Sequence, residues 1–326
     1  MAEAIGGYFE LELGKGSVLY PRAQAFNSAR SALQAFLKCA EVRRLFLPDF
    51  ICPVMIDAAR AAGIEVLRYE VDHRLELAGS PSLGSGDYLL YVNYFGLMDG
   101  YVLHTLAQQY PGQLIIDNAQ ALFSPPVLTV PTLYSPRKFV GVPDGGWLLN
   151  APSVSPMPVA ADSKGRLGAL LGRLGGEPES HYADFIDVEQ AIADDGLLGM
   201  SAVTSKLLAS LDYPALCQRR TDNFQRVGQG LGELNGFAGV ADAPVAALCY
   251  PLLLDSAQRA RQVRAFLLEQ RIYVPTYWRE LLNDPAAGKA ARDLSERLLP
   301  LPIDQRYGAN DMDRLVSTLY QAVRCS

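Results

Sequence analysis

The sequence predicts an α/β protein: a large domain with a mostly parallel sheet flanked by helices, followed by a small C-terminal α/β domain. Three observations carry this. From about residue 29 to 150, helix-like and strand-like segments alternate, and the strand-like ones are apolar on both faces. Such strands belong in a parallel sheet covered by helices on each side. At 326 residues the chain exceeds what one hydrophobic core ordinarily supports, so two domains are expected. Around residues 235–244 the composition turns to Gly and Ala, and the alternation then resumes, so the expected division is 1–236 and 237–326.

Each element has its own signal. Residues 29–41 carry Ala32, Leu33, Phe36 and Leu37 at helical spacing, and the apolar run 44–47 reads as a strand stopped by Pro48. Residues 54–62 read as a helix ended by Gly63, since glycine suits a left-handed cap. Residues 64–71, 88–95 and 113–117 read as strands, with a crossover helix at 102–109. The apolar stretch 89–98 is too short to span a bilayer and reads as a buried strand. In such a sheet, ligands bind beyond the carboxyl ends of strands, where Asn93-Tyr94-Phe95 and Asp117 would sit. A less regular middle, 151–199, is rich in Pro, Gly and Ser. Helices are expected at 200–211 and 216–231, the second with Arg219, Arg220, Asp222 and Arg226 on its polar side. Strand 247–254, helix 257–270, strand 272–274 and helix 310–323 complete the small domain.

Composition excludes several function classes. An apolar content of 49% with 20% charged residues describes a packed globular protein. A net charge of −6 argues against nucleic-acid binding and against an anionic membrane surface. The opening Met1-Ala-Glu-Ala-Ile-Gly-Gly7 lacks the basic and apolar regions of a signal peptide, so a cytoplasmic protein is expected. The five cysteines are odd in number, scattered and without a CxxC pair, which fits free thiols in a reducing compartment. Three separated histidines offer no metal site.

The most informative segment is Gln113-Leu-Ile-Ile-Asp117-Asn118-Ala119-Gln120-Ala121, followed by Ser135-Pro-Arg-Lys138 and Asp144-Gly145-Gly146. A carboxylate at the buried end of a strand is costly unless paired, although Asp117 could instead cap a helix. Lys138 taken alone reads as a solvated lysine in a turn. Taken together, these residues resemble the pyridoxal-phosphate (PLP) site of fold-type-I aminotransferases, specifically the nucleotide-sugar, DegT/StrS-like branch. The resemblance implies that fold, with Asp117 gripping the pyridine nitrogen, Gln120 bonding the ring hydroxyl, and Lys138 carrying the cofactor covalently and then moving protons.

The same resemblance implies further roles. Ser28-Ala29-Arg30-Ser31-Ala32-Leu33 matches the family's Ser-Gly-Thr-Ala-Ala-Leu segment, whose helix N-terminus holds the phosphate. Here Ala29 replaces glycine and Arg30 replaces threonine, so Arg30 would offer a charge-assisted contact. An ordinary helix capped by Ser28 is the alternative. Ser135 would contact the phosphate, though it stands three residues before the lysine where relatives have five. Phe50, in Pro48-Asp-Phe-Ile-Cys52-Pro, aligns with a ring-stacking segment, where Cys52 occupies the usual aromatic position. A core role for Phe50, or ring stacking by Phe95, fits equally. Asn93 replaces a common histidine beside Tyr94, and Pro275-Thr-Tyr277-Trp278 lies where relatives place substrate-facing aromatics, with interdomain packing the alternative. Ser201, after Gly199-Met200, would reach the neighbouring subunit's phosphate site in a homodimer.

The expected function is PLP-dependent transamination from an amino-acid donor to a keto-sugar, nucleotide-linked, in cell-surface polysaccharide or secondary-metabolite biosynthesis. The alternative is a non-catalytic, PLP-binding or regulatory relative. A sugar dehydratase of this fold is disfavoured because such enzymes carry histidine in place of the lysine.

Overall fold

The computed structural model describes residues 5–176, 178–237 and 246–325. Seven strands form the main sheet: β1 (Gln24–Phe26), β2 (Arg44–Pro48), β3 (Glu65–Tyr69), β4 (Asp87–Val92), β5 (Leu114–Asn118), β6 (Thr132–Tyr134) and β7 (Gly146–Leu149). Their order is β1-β7-β6-β5-β4-β2-β3. The pairs from β3 through β6 are parallel, and β7 runs antiparallel to both β6 and β1. The expected mostly parallel sheet is therefore present, with an antiparallel margin on one side.

Helix α1 (Ala29–Cys39) starts directly after β1, with Ser28 as N-cap. Helix α2 (Pro53–Ala61) begins with proline at its first position, where the missing N–H costs nothing, and ends before Gly63 at φ +77°. The crossover between β4 and β5 is a continuous coil of short pieces: α3 (Asp99–Tyr101), a π-helical turn (Val102–Leu106) and α4 (Ala107–Gln109). β4 stops at Val92, and the chain turns sharply at Asn93–Gly96, so the apolar run 89–98 is a strand only in its first part.

The middle segment is more helical than expected, with α5 (Gly168–Gly175) and α6 (Tyr182–Asp194). Then follow α7 (Ala202–Ala209) and α8 (Tyr213–Leu231). A two-stranded antiparallel sheet joins β8 (Tyr250–Leu253) to β9 (Leu298–Leu301), surrounded by α9 (Ala257–Glu269), α10 (Lys289–Arg297) and α11 (Ala309–Cys325). The expected strand at 272–274 is irregular chain. Ile272 and Val274 are buried and Tyr273 is exposed, so the alternation reports burial without a pairing partner. Part of the expected seam, residues 238–244, lies outside the described residues. α8 lies before that seam and packs against α11 and β8. One apolar cluster runs from Phe26 and Leu33 through Leu90 and Ile115 to Leu252, Leu294 and Leu319, so both sheets share a continuous core.

Arg220 lies on the buried side of α8 with Asn223, Phe224, Val227 and Leu231, not on its polar side. The spacing of these residues is itself helical. No described helix is long and apolar enough to cross a membrane. Among the described residues, no group of three His, Cys, Asp or Glu side chains is placed to hold a metal.

Candidate functional site

β5 ends in Asp117, whose side chain is 4% exposed. Its Oδ1 accepts the Ala119 backbone N–H at 2.8 Å. Burial pushes the Asp117 carboxyl pKa up, while the Lys138 charge and the Ala119 bond pull it down, and burial wins. The sheet thus holds a buried carboxylate at a strand's carboxyl end, and Lys138 follows the neighbouring strand β6. Lys138 closes a 3-10 turn (Pro136–Lys138) after β6, its N–H bonded to the Ser135 carbonyl at 3.2 Å. Lys138 is exposed and Ser135 is buried.

Gln120 is buried, and its Oε1 accepts the Phe95 N–H at 3.0 Å. Phe95 has a left-handed backbone, φ +59°, which a bulky residue adopts only under constraint. The constraint is visible on both sides. Gln120 binds the Phe95 N–H, and the Phe95 carbonyl accepts the Leu248 N–H at 2.9 Å. Asn93 serves the same turn: its Nδ2 donates to Asp99 and Asn118, and its Oδ1 accepts the Met98 N–H.

An aromatic cluster spans the sequence here. Phe95 stacks on Tyr277 at 6.0 Å and 12°, and Tyr277 on Trp278 at 5.8 Å and 28°. Trp278 meets the edge of Phe50 at 4.6 Å, and Phe50 lies 5.6 Å from Tyr94. Tyr94 donates to the Phe50 carbonyl at 2.7 Å. Trp278, like Phe95, is left-handed, at φ +52°. Phe50, Tyr94 and Phe95 are fully buried, whereas Tyr277 and Trp278 keep partial exposure.

The α1 N-terminus is the other wall. The Ser28 hydroxyl accepts the Ser31 N–H at 3.1 Å, so it caps its own helix. A Cβ on Gly146 would lie 2.1 Å from the Ser28 carbonyl carbon and 2.4 Å from the Ala29 nitrogen. Only glycine lets β7 pass beneath the first turn of α1. Gly145, at φ +131°, donates its N–H to the Asn27 carbonyl at 2.7 Å. Arg30, the second residue of α1, points its guanidinium to the Ala193 and Ile192 carbonyls at 2.8 and 3.2 Å. It therefore closes the C-terminal turn of α6.

Asp144 is fully buried, accepting the Ser163 hydroxyl and the Ser201 N–H. Ser201 is 2% exposed, and its Oγ caps α7 by accepting the Thr204 N–H at 3.2 Å. The preceding residues run along β1, with Met200 N–H bonded to the Ala25 carbonyl at 3.2 Å.

Several residues of this site carried no motif. Arg220 is 2% exposed, and burial pushes its pKa down to about 10, so it stays charged at neutral pH. It donates to Gln305 Oε1 at 2.8 Å, to the Ala247 and Leu248 carbonyls at 3.1 and 3.3 Å, and to the Phe139 carbonyl at 3.1 Å. Its guanidinium also sits 4.6 Å over the Phe139 ring. Tyr134, its ring centroid 4.4 Å from that of Tyr20 and tilted 34° to it, donates to the Ser124 carbonyl, and burial pushes its pKa up to about 12. The helical spacing of Arg220 with Asn223, Val227 and Leu231 was the signal available for Arg220; the others had none.

No known family's sequence description matches the chain, and no curated protein matches it at a significant level. Solved structures do. The aminotransferase TlmJ from Streptoalloteichus hindustanus superposes with a TM-score of 0.65 at 17% identity, covering 93% of this chain and 86% of that one. The sugar aminotransferase CalS13 from Micromonospora echinospora gives 0.62 at 16%, covering 92% and 87%. NtdA from Bacillus subtilis, solved with bound cofactor PMP, gives 0.64 at 12%, covering 93% and 73%. The seven-stranded sheet, its flanking helices and these superpositions together establish that the chain has the fold-type-I aminotransferase fold.

Proposed function

We propose that this protein is a PLP-dependent aminotransferase that moves an amino group from an amino acid to a keto-sugar, nucleotide-linked, in polysaccharide or secondary-metabolite biosynthesis. The observation that carries the reading is the placement of Asp117 and Lys138: a buried carboxylate at the carboxyl end of β5, and an exposed lysine in the turn that follows the neighbouring strand β6. A buried carboxylate needs a cationic partner, and a protonated ring nitrogen supplies one. The glycine-dependent approach of β7 to the α1 N-terminus fits a phosphate cradle on the same side. Similarity to sugar aminotransferases and to a PMP-bound structure supports the same choice of cofactor and acceptor.

When bound, PLP supplies an electron sink that acidifies the substrate Cα–H. The chain's residues do the rest. Lys138 would anchor the cofactor and, once the substrate amine displaces it, carry the proton from the substrate Cα to the cofactor. Asp117 holds the ring nitrogen protonated. Gln120 spends its Oε1 on Phe95 and keeps its amide nitrogen as a donor for the ring hydroxyl. The first amides of α1 at Ala29, with Ser28 and Ser135 alongside, take the phosphate. Arg30 acts on that cradle indirectly, by fastening α6 to α1. Phe50 and Phe95 form the apolar wall, and Tyr277 and Trp278, the more exposed pair, face the sugar. Asn93 shapes the turn presenting Tyr94 and Phe95.

The division at 1–236 and 237–326 places the cofactor groups in the first part and Tyr277 and Trp278 in the second. A homodimer fits the large apolar side chains exposed along residues 5–18 and on α5 and α6, among them Phe9, Leu174, Tyr182 and Phe185. In that assembly, the α7 start at Ser201 would adjoin the neighbour's phosphate site.

A visible cofactor absorbance band that bleaches on addition of an amino-acid donor tests the function. A band that persists with every donor would instead support a non-catalytic PLP-binding relative. One observation favours that second reading: Arg30 and Asn93 spend their polar groups inside the protein.

A further inference from the structure

We infer that Arg220 and Gln305 are positioning residues for Lys138, acting through the backbone carbonyl of Phe139. The inference rests on the proposed cofactor role of Lys138. Two independent donors converge on that one carbonyl: the Arg220 guanidinium at 3.1 Å and the Gln305 amide at 2.7 Å. Phe139 directly follows Lys138, and the turn holding both is short, with Phe139 N–H and Val140 N–H both returning to the Pro136 carbonyl at 2.9 Å. Pinning the Phe139 carbonyl therefore fixes the Phe139–Val140 peptide, and the turn's own bonds to Pro136 carry that constraint back to the lysine one residue earlier.

The donors come from elsewhere in the chain. Arg220 stands on α8, and Gln305 lies in the loop after β9. Arg220 Nε binds Gln305 Oε1 at 2.8 Å, so the two donors also orient each other. One turn along α8, Asn223 Nδ2 grips the carbonyls of Ile303, Asp304 and Tyr307, which fixes the loop bearing Gln305.

A second chain of bonds closes the circuit. Arg220 also holds the Leu248 carbonyl, the Leu248 N–H binds the Phe95 carbonyl, and the Phe95 N–H binds Gln120. The guanidinium thus ties the lysine turn to the turn after Asp117. A buried cation with no hydrogen-bonded carboxylate partner is costly, and here converging backbone and side-chain oxygens offset that cost. An apolar side chain would fill the same space without that cost, but it could not donate to the Phe139 carbonyl.

The test is a double-mutant cycle read by PLP dissociation constants, measured by cofactor fluorescence on the wild type, Arg220→Met, Lys138→Ala and the double variant. Arg220→Met should weaken PLP about ten-fold while Lys138 is present, the order of one charge-assisted hydrogen bond. It should leave PLP affinity unchanged in the Lys138→Ala background, because the residue acts only through the lysine. Equal weakening in both backgrounds overturns the inference and makes Arg220 a structural residue, as does no weakening in either. Gln305→Ala, a change at a partly exposed position, runs the same cycle if Arg220→Met does not fold. Failure of the aminotransferase reading itself looks different: wild type and Lys138→Ala would then bind PLP equally, with no borohydride-trapped attachment in either.

Discussion

Replacing Gly146 with alanine should damage both stability and cofactor binding, by an amount the geometry bounds. The added Cβ would sit 2.1 Å from the Ser28 carbonyl carbon, 2.3 Å from its oxygen and 2.4 Å from the Ala29 nitrogen. Ordinary contact between non-bonded carbons is about 3.5–4.0 Å. The obstruction is backbone, so no rotamer change relieves it. That backbone is also held: Asn27 N–H binds the Leu198 carbonyl at 3.0 Å, and Ser28 caps α1. Overpacking ordinarily costs about 1–3 kcal/mol, and a rigid backbone obstacle puts this case at the upper end or beyond, about 3 kcal/mol. For a chain this large, a loss of that size lowers Tm by about 4 °C. Gly141→Ala is the matched control, since its Cβ would meet only Leu170 Cδ2 at 3.7 Å. Thermal unfolding of both apo variants, with PLP titration of each, decides the matter. If Gly146→Ala melts together with Gly141→Ala and binds PLP as tightly as wild type, β7 does not constrain α1.

Lys138→Ala should abolish transamination and borohydride-trapped cofactor while leaving the protein folded, because the lysine side chain is exposed; retained turnover would refute its role. Asp117→Asn should bind PLP weakly and lose several kcal/mol of transition-state stabilisation, seen in kcat/KM. Its apo form should melt higher than wild type at neutral pH. Burial raises the folded-state carboxyl pKa above its ordinary 3.8, so the stability Asp117 contributes is complete below that value and lost as pH rises through the folded pKa. The variant's advantage should therefore shrink in mild acid; an advantage independent of pH would show that the charge is not what burial penalises. Finally, sedimentation should show a dimer, and a fully active monomer of roughly 35 kDa would remove Ser201 from the site.

The parts of the fold legible in the sequence were those with long periodic segments. α1, α2, β5 and α9 lie within a few residues of where their apolar spacing puts them. β1, β6 and β7 have three or four residues each, too few for any periodicity to register. α5 and α6 each bury a single residue, Ala169 and Ile192, so no apolar stripe announces them. Residues 272–274 erred the other way, with true alternation of burial and no neighbouring strand.

The misplacement of Arg220 shows where local reasoning ends. On an amphipathic helix a charge is assigned to water, because an isolated buried cation is prohibitively costly. The assignment reverses only when acceptors converge on it, and here they come from Phe139, Ala247, Leu248 and Gln305, separated from it by 27 to 85 residues. No window of sequence around α8 contains that information. Arg30 shows the same limit from the opposite side. At the start of α1 it is placed to meet an anion, yet the free carbonyls at the end of α6 take its guanidinium first. Both helix ends follow the same rule, in which unsatisfied backbone groups draw the nearest charge of opposite sign. That the α6 carbonyls hold Arg30, leaving it unavailable to an anion at the start of α1, depends on packing between segments more than 160 residues apart. Charges in this protein are therefore readable from sequence where the strand order alone places them, as at Asp117. They are not readable where a distant carbonyl competes for them.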